Sequence, residues 1–195
     1  MLDPSPPILH TARLTLRPLA QGDAAALFAI FSDPEVVRYW SRGVWTDMAQ
    51  AEEMLASAAE GYADGSALRY GIAVTATSEL VGVANLFAFN RDSRRCDLGY
   101  VLGSRHWNKG YVSEALVPVL DHAFGALDMN RIEADIDPRN IGSQRVLEKL
   151  AFQREGYMPE RWIVHGEKAD TAFYGLLRRY WEERPASRSS ADAAG

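Results

Sequence analysis

The sequence predicts an α+β fold built around one sheet. Apolar residues recur at helical spacing in two early segments and in one strong central segment, and runs with strand texture lie between them. From residue 68 to residue 102, β-rich runs follow one another with only the turn-like "TSE" and "NRDSR" between, as in an antiparallel meander. Helices segregated by runs of strands belong to the α+β class. The expected order is β, α, α, β, β, β, α, β, α, β, β.

Each element has its own warrant. "ARLTLRPL" alternates from Leu14 through Leu16, puts Arg13, Thr15 and Arg17 on the other face, and stops at Pro18. Asp23 is the expected N-cap of a helix carrying Ala26, Leu27, Ile30 and Phe31, with a stop and restart at Asp33 and Pro34. Thr46 is the expected cap of a second helix, "TDMAQAEEMLASAAEGYADG". Three strands of the meander follow. Val112, Ala115, Leu116, Val119, Ala123, Phe124 and Leu127 then recur at helical spacing, so one face of a helix over residues 111–127 is apolar and buried. Pro118 inside it removes one helical hydrogen bond and should kink the axis. "RIEADI" reads as a short strand and "IGSQRVLEKL" as a short helix. "FQREGYMPERWIVHGEKADTAFYGLL" reads as two strands turning near residues 165–168. Residues 1–7 are a Pro-rich leader, 8–184 one domain, and 185–195 a small polar tail expected to be disordered.

Composition narrows the functional classes. A chain of 195 residues fits one ordinary domain, and 47% apolar with 24% charged residues excludes a disordered or collagen-like chain. A net charge of −5 gives no support to a nucleic-acid partner and suits a cationic substrate such as an amine. No segment is long enough to span a membrane. The N-terminus lacks the basic start and apolar run of a signal peptide. One cysteine, Cys96, allows no internal disulfide and points to a reducing cytoplasm; in "RRCDLGYVL" it reads as a core or pocket residue rather than a nucleophile.

The stretch "SRHWNKGYVSEAL" joins a strand to the amphipathic helix. That helix begins at Lys109 and Gly110, where free N–H groups and the positive end of the dipole favour an anion and glycine lets it approach the main chain. The geometry suits a pyrophosphate. A βα connection with a glycine turn and nothing bound fits the same residues.

"TARLTLRPLAQGDAAALFAIFSDPEVVRYW", "DLGYVLGSRHWNKGYVSEAL" and "NIGSQRVLEKLAF", in that order and spacing, resemble the GNAT acetyltransferase superfamily, in the branch typified by the RimJ and RimL ribosomal-protein N-terminal acetyltransferases. The resemblance spans residues 8–177. It implies one central, mostly antiparallel twisted sheet of about seven strands, flanked by about four helices and splayed at the acetyl-CoA site. It implies acyl transfer from acetyl-CoA to an amine without a covalent enzyme intermediate and without a metal. The cofactor's pyrophosphate would lie on the loop of Trp107, Asn108, Lys109, Gly110, Tyr111 and Val112. The family usually has glycine where Asn108 stands and a small residue where Val112 stands; Asn tolerates left-handed angles, while Val112 crowds the phosphate approach.

Asn140 and Ser143 match the family's contact to the coenzyme A arm and its group beside the thioester sulfur, although Asn140 is equally placed to cap a helix. Many members have a tyrosine acid where Leu147 stands here, which passes the leaving-group role to Ser143. Ala151 replaces a usual glycine and would cost about 1 kcal/mol if left-handed. An amine attacks only when neutral, so a base is needed; Asp97 is the first candidate, with Glu155 and Glu160 as alternatives. Backbone N–H groups of Tyr100, Val101 and Leu102 are candidate oxyanion donors. Tyr39, Trp40, Trp45 and Trp162 are candidates to line the acceptor groove. His106 and His165 read as structural or solvated. The expected acceptor is a protein or peptide N-terminal α-amine. A small-molecule amine, such as an antibiotic, polyamine or amino acid, and a non-catalytic acetyl-CoA-binding domain are the alternatives. A monomer and a homodimer both remain open.

Overall fold

The computed structural model describes residues 6–164 and 166–184. Eight strands form one sheet: β1 (Leu9–His10), β2 (Leu14–Pro18), β3 (Ala67–Val74), β4 (Leu80–Asn90), β5 (Arg95–Leu102), β6 (Arg131–Ile136), β7 (Gln153–Val164) and β8 (Glu167–Leu177). Six helices accompany them: α1 (Ala24–Phe31), α2 (Pro34–Val37), α3 (Ala49–Asp64), α4 (Tyr111–Phe124), α5 (Ile141–Lys149) and α6 (Arg178–Glu183). The α+β order is as read from the sequence. The additions are β1, too short to show a period, the single-turn α2 at the expected restart, and α6 after the last strand. The tail expected to be disordered and His165 lie outside the described residues.

The spatial order is β1-β2-β3-β4-β5-β6-β8-β7. Every neighbouring pair is antiparallel except β5 with β6, the one parallel contact. That contact is short. Arg95, Cys96 and Asp97 pair with Arg131, Ile132 and Glu133, and there the ladder ends. Beyond it β5 stays paired to β4 as far as Leu102 with Gly82, and β6 to β8 as far as Ile136 with Ala172. The sheet therefore splits between β5 and β6, as the resemblance implied.

Alternation along the strands divides the core between two faces. Leu98 and Leu102 of β5 pack with Ala115, Leu116, Val119 and Leu120 of α4, while Val101 packs with Leu27 and Phe31 of α1 and Leu55 of α3. The helical period of α4 is the one expected, and the helix runs unbroken through Pro118. Cys96 is fully buried, and burial pushes its thiol up to about 12, so it stays a protonated core residue at neutral pH.

Local signals were realised unevenly. Asp23 stands at the N-cap position of α1 but does not cap it with its side chain. Its carboxylate instead accepts from Arg17 at 2.7 and 2.8 Å and from the Ala20 N–H at 2.8 Å. Burial opposes its ionisation, yet these donors outweigh it and hold the carboxyl below the usual range. Thr46 does not cap α3. Asp47 Oδ1 accepts from the Ala49 N–H at 2.9 Å, and Gln50 Oε1 reaches back to the Thr46 and Asp47 N–H groups, a reciprocal cap one residue later. Ala151 is left-handed at φ 66, where a Cβ is strained. Ala151→Gly should therefore raise unfolding stability by about 1 kcal/mol with no change in turnover, measurable by urea titration.

Candidate active site

Two features stand along the open end of β5. The first is the loop between β5 and α4. Asn108 is left-handed at φ 59 and Gly110 at φ 76, so the chain makes the turn that Asn was expected to tolerate. The main-chain N–H groups of Asn108, Lys109, Gly110, Tyr111, Val112 and Ser113 make no hydrogen bond among the described residues; the first helical bond is Glu114 N–H to the Gly110 carbonyl, 3.0 Å. Consecutive free donors at the positive end of a 14-residue helix form an anion cradle. The Lys109 side chain is exposed beside it, and Val112 packs half-buried against the main core. Trp107 pins the loop to the strand, its indole N–H donating to the Leu102 carbonyl at 2.7 Å.

Arg13, read from the sequence only as an outward strand residue, braces this loop. Its Nη2 donates to the Lys109 carbonyl at 3.0 Å, its guanidinium lies 4.7 Å from the centre of the Tyr111 ring, and it pairs with Glu114 at 2.6 Å. Burial raises the Glu114 carboxyl, but Thr11 and Arg13 more than compensate and keep it ionised. His106 sits beside the same loop, 3.5 Å from Glu79, with its ring near Tyr111.

The second feature is a cavity of about 340 Å³ at the split itself. Leu98, Gly99 and Tyr100 of β5 line one side and Ala134, Asp135 and Ile136 of β6 the other, with Asn140 and Ser143 from the start of α5 and Tyr39, Trp40 and Trp162 at the rim. Asn140 caps α5, its Oδ1 accepting from the Ser143 N–H at 3.0 Å. Ser143 Oγ is 2.6 Å from the Tyr100 hydroxyl. That hydroxyl went unnoticed in the sequence, where Tyr100 stood out only for its backbone. Burial pushes the Tyr100 phenol far up, an effect the Ser143 hydrogen bond only partly offsets, so the group is a neutral donor at any working pH. Leu147, where many relatives have a tyrosine, is fully buried.

The backbone donors sort themselves by alternation. The Gly103 N–H donates to the Val81 carbonyl, so in this antiparallel ladder Val101 also turns its N–H towards β4. Tyr100 and Leu102 direct theirs into the split. Of these three amides, those of Tyr100 and Leu102 face the split and that of Val101 does not.

Of the four aromatic residues expected at the acceptor groove, Tyr39, Trp40 and Trp162 line the cavity. Trp45 does not. It is 9% exposed and stacks on Phe31 at 4.4 Å within the core under α1 and α3. Phe31 turns its edge to Trp40 as well, so one core ring holds both tryptophans, and only Trp40 reaches the cavity.

The carboxylates differ in kind. Asp97 is the last residue of β5 paired to β6, at the closed end of the split, and does not itself line the cavity. Its Oδ1 is buried without a partner. Burial and the Glu133 carboxylate raise its carboxyl above the usual range, and Arg95, 3.7 Å away but 2.7 Å from Glu133, offsets this only in part. Glu155 is paired with Arg131, which holds it low, and Glu160 with Lys168 at 2.7 Å; both are committed to cations. Three carboxylates absent from the sequence reading line the cavity: Asp135, paired with Arg161 at 2.9 Å, Asp137, paired with Arg139 at 2.6 Å, and Asp170. Asp170 accepts from the Tyr157 hydroxyl and the Glu160 N–H, which hold it below the ordinary range, and it has no cationic partner among the described residues.

No group of three or more His, Cys, Asp or Glu side chains able to hold a metal occurs among the described residues, and no helix among them is long and apolar enough to cross a membrane.

Comparison with known proteins gives a consistent result. The model of the acetyltransferase (GNAT) domain matches residues 13–153. An uncharacterized N-acetyltransferase of Bacillus licheniformis, p20, is 37% identical over 171 residues, 88% of this chain and 96% of its own. The ribosomal protein uS5-alanine N-acetyltransferase of Escherichia coli is 31% identical over 123 residues, 63% of each chain. The spermidine N-acetyltransferase of Vibrio cholerae, solved in complex with CoA and spermine, shares the fold at a TM-score of 0.79, with 20% identity over 88% of this chain and 99% of that one.

Proposed function

Because the chain belongs to the GNAT acetyltransferase family, being matched over residues 13–153, we propose that it moves the acetyl group of acetyl-CoA to the α-amine of a protein or peptide N-terminus. The class of enzyme, an N-acetyltransferase, follows from the family and from N-acetyltransferase relatives at high coverage. The acceptor is the proposal. One observation carries it: of the three carboxylates lining the cavity, Asp135 and Asp137 are spent on arginines, leaving Asp170 as the one without a cationic partner among the described residues. A single free carboxylate suits one ammonium group better than the several of a polyamine. The likeness to the uS5-alanine enzyme supports the same reading.

The chain's residues then divide the work. The free amides from Asn108 to Ser113 and the Lys109 side chain hold the pyrophosphate, and Asn140 meets the pantetheine arm. Asp97 takes the proton of the incoming ammonium, directly or through water. Its raised pKa is what a base needs, whereas Asp170, held low, is suited to binding the cation and not to deprotonating it. The neutral nitrogen attacks the thioester carbon, the amides of Tyr100 and Leu102 steady the oxyanion, the nitrogen gives its second proton to water, and as the oxyanion collapses the C–S bond breaks with its electron pair going to sulfur. Ser143 donates a hydrogen bond to that sulfur.

Proton cost favours the same acceptor. At pH 7 an α-amine is about one-tenth neutral, a lysine side chain only about four parts in ten thousand. The base proposed here, Asp97, is a carboxylate, and the easier amine suits it. Free coenzyme A release with an N-terminal peptide, its N-blocked lysine-containing twin and free polyamines tests the reading. The peptide should give the highest kcat/KM, and faster turnover on either competitor overturns it.

A further inference from the structure

We propose that Tyr100 is a positioning residue for the leaving group, fixing the direction in which the Ser143 hydroxyl offers its proton. The inference rests on the leaving-group role given to Ser143 above and goes beyond it by assigning what controls that hydroxyl.

A serine hydroxyl has one proton and rotates freely, so it stabilises a developing thiolate only if that proton points at sulfur. Left alone near the start of a helix, a serine tends to donate to a nearby main-chain carbonyl, which would turn its proton out of the cavity. Tyr100 alters the choice. Its hydroxyl is 2.6 Å from Ser143 Oγ and 3.3 Å from the Ser143 carbonyl, so the shorter and stronger bond runs between the two hydroxyls. Burial keeps the phenol neutral, and a buried neutral phenol must donate somewhere. When it donates to Ser143 Oγ, it occupies a lone pair of that oxygen and leaves the Ser143 proton free for the cavity.

The rest of the surroundings hold the pair in register. Asn140 fixes the Ser143 main chain through the Ser143 N–H, and Tyr100 is held by its β4 pairing with Ala84. The two residues come from opposite sides of the split, one from β5 and one from α5, and both line the cavity. Leu147 has no proton to offer, so no hydroxyl from that side of α5 duplicates the arrangement. As the C–S bond breaks, its electron pair goes to sulfur, the thiolate is hydrogen-bonded by Ser143, and it takes its proton from solvent after release. No proton leaves the Ser143–Tyr100 pair, so the tyrosine is never ionised.

A double-mutant cycle on the full chain tests this. Tyr100→Phe keeps the ring and removes the hydroxyl; it should lower kcat about tenfold at saturating substrates while the KM for acetyl-CoA changes less than about twofold. Ser143→Ala should lower kcat by about 10 to 100-fold, and adding Tyr100→Phe to it should cost nothing more, because there is then no proton to direct. Wild-type kcat in Tyr100→Phe, or the same loss with and without Ser143, would overturn the positioning role and leave the tyrosine a packing residue. Wild-type kcat in Ser143→Ala would instead overturn the leaving-group reading on which the proposal stands. Should Tyr100→Phe not fold, 3-fluorotyrosine incorporated at position 100 makes the phenol a stronger donor with little change in shape. It should then alter kcat, and an unaltered kcat counts against the proposal.

Discussion

Gly110→Asp should leave the chain folded and weaken acetyl-CoA at least about a hundredfold, equivalent to ~2.7 kcal/mol of binding. The fold should survive because Asp is among the residues that tolerate left-handed angles, and because a Cβ built at Gly110 meets only Arg13 Nη2, at an ordinary 3.7 Å. Binding should fail because the new carboxylate would sit among the run of free amides proposed to receive phosphate, adding a negative charge at the positive end of α4. Gly110→Ala separates the two causes: it adds a side chain at the same φ without charge and should lose far less affinity. Calorimetry with acetyl-CoA reads both, and undiminished affinity in folded Gly110→Asp would remove the phosphate from this loop.

Asp97→Asn should lower kcat/KM about a hundredfold or more at pH 7 with acetyl-CoA affinity unchanged. The pH dependence is the sharper reading. A raised carboxyl is still protonated at a pH where an ordinary one has ionised, so the wild-type rate should fall as pH drops through a value above the usual carboxylate range, and the variant should lose that limb. Stability should move the other way. A group whose folded pKa lies above its unfolded one loses stability as pH rises through the two values, so at neutral pH ionised Asp97 is a burden on the fold. Asp97→Asn should therefore be no less stable than wild type at pH 7, by thermal unfolding. A variant with an intact acidic limb would pass the base to another group.

How far the sequence reached depended on how local each signal was. The helical period from Ala115 to Phe124, the glycine turn and the left-handed Ala151 are properties of a few neighbouring residues, and the structure has them. Thr46 shows how narrow such signals are: Asp47 and Gln50 together form the cap one residue later, and Thr46 is left outside it. Trp45 was misplaced because its loop looked exposed in the sequence, whereas Phe31 offers it a stacking partner. The sheet order brings together what no spacing announces. Arg13 meets Lys109 across 96 residues, and Tyr100 meets Ser143 across 43. Asp135, Asp137 and Asp170 were overlooked because an aspartate in or beside a strand is ordinarily a solvated charge, and only the split turns these three inward.

The three-pair parallel contact between β5 and β6 also has a mechanical consequence. It makes the sheet two plates, one ending at β5 and the other beginning at β6, hinged along a seam of ladder bonds much shorter than any within either plate that joins two long strands. A molecule lodged in the seam touches both plates and bonds to edge amides that otherwise have no strand beside them. Its binding free energy is then shared as cohesion, adding RT ln(1 + [L]/Kd) to the stability of the assembled sheet. With acetyl-CoA in the seam, as proposed, the cosubstrate would also be a tie between the two plates, and adding it should raise the temperature at which the sheet unfolds.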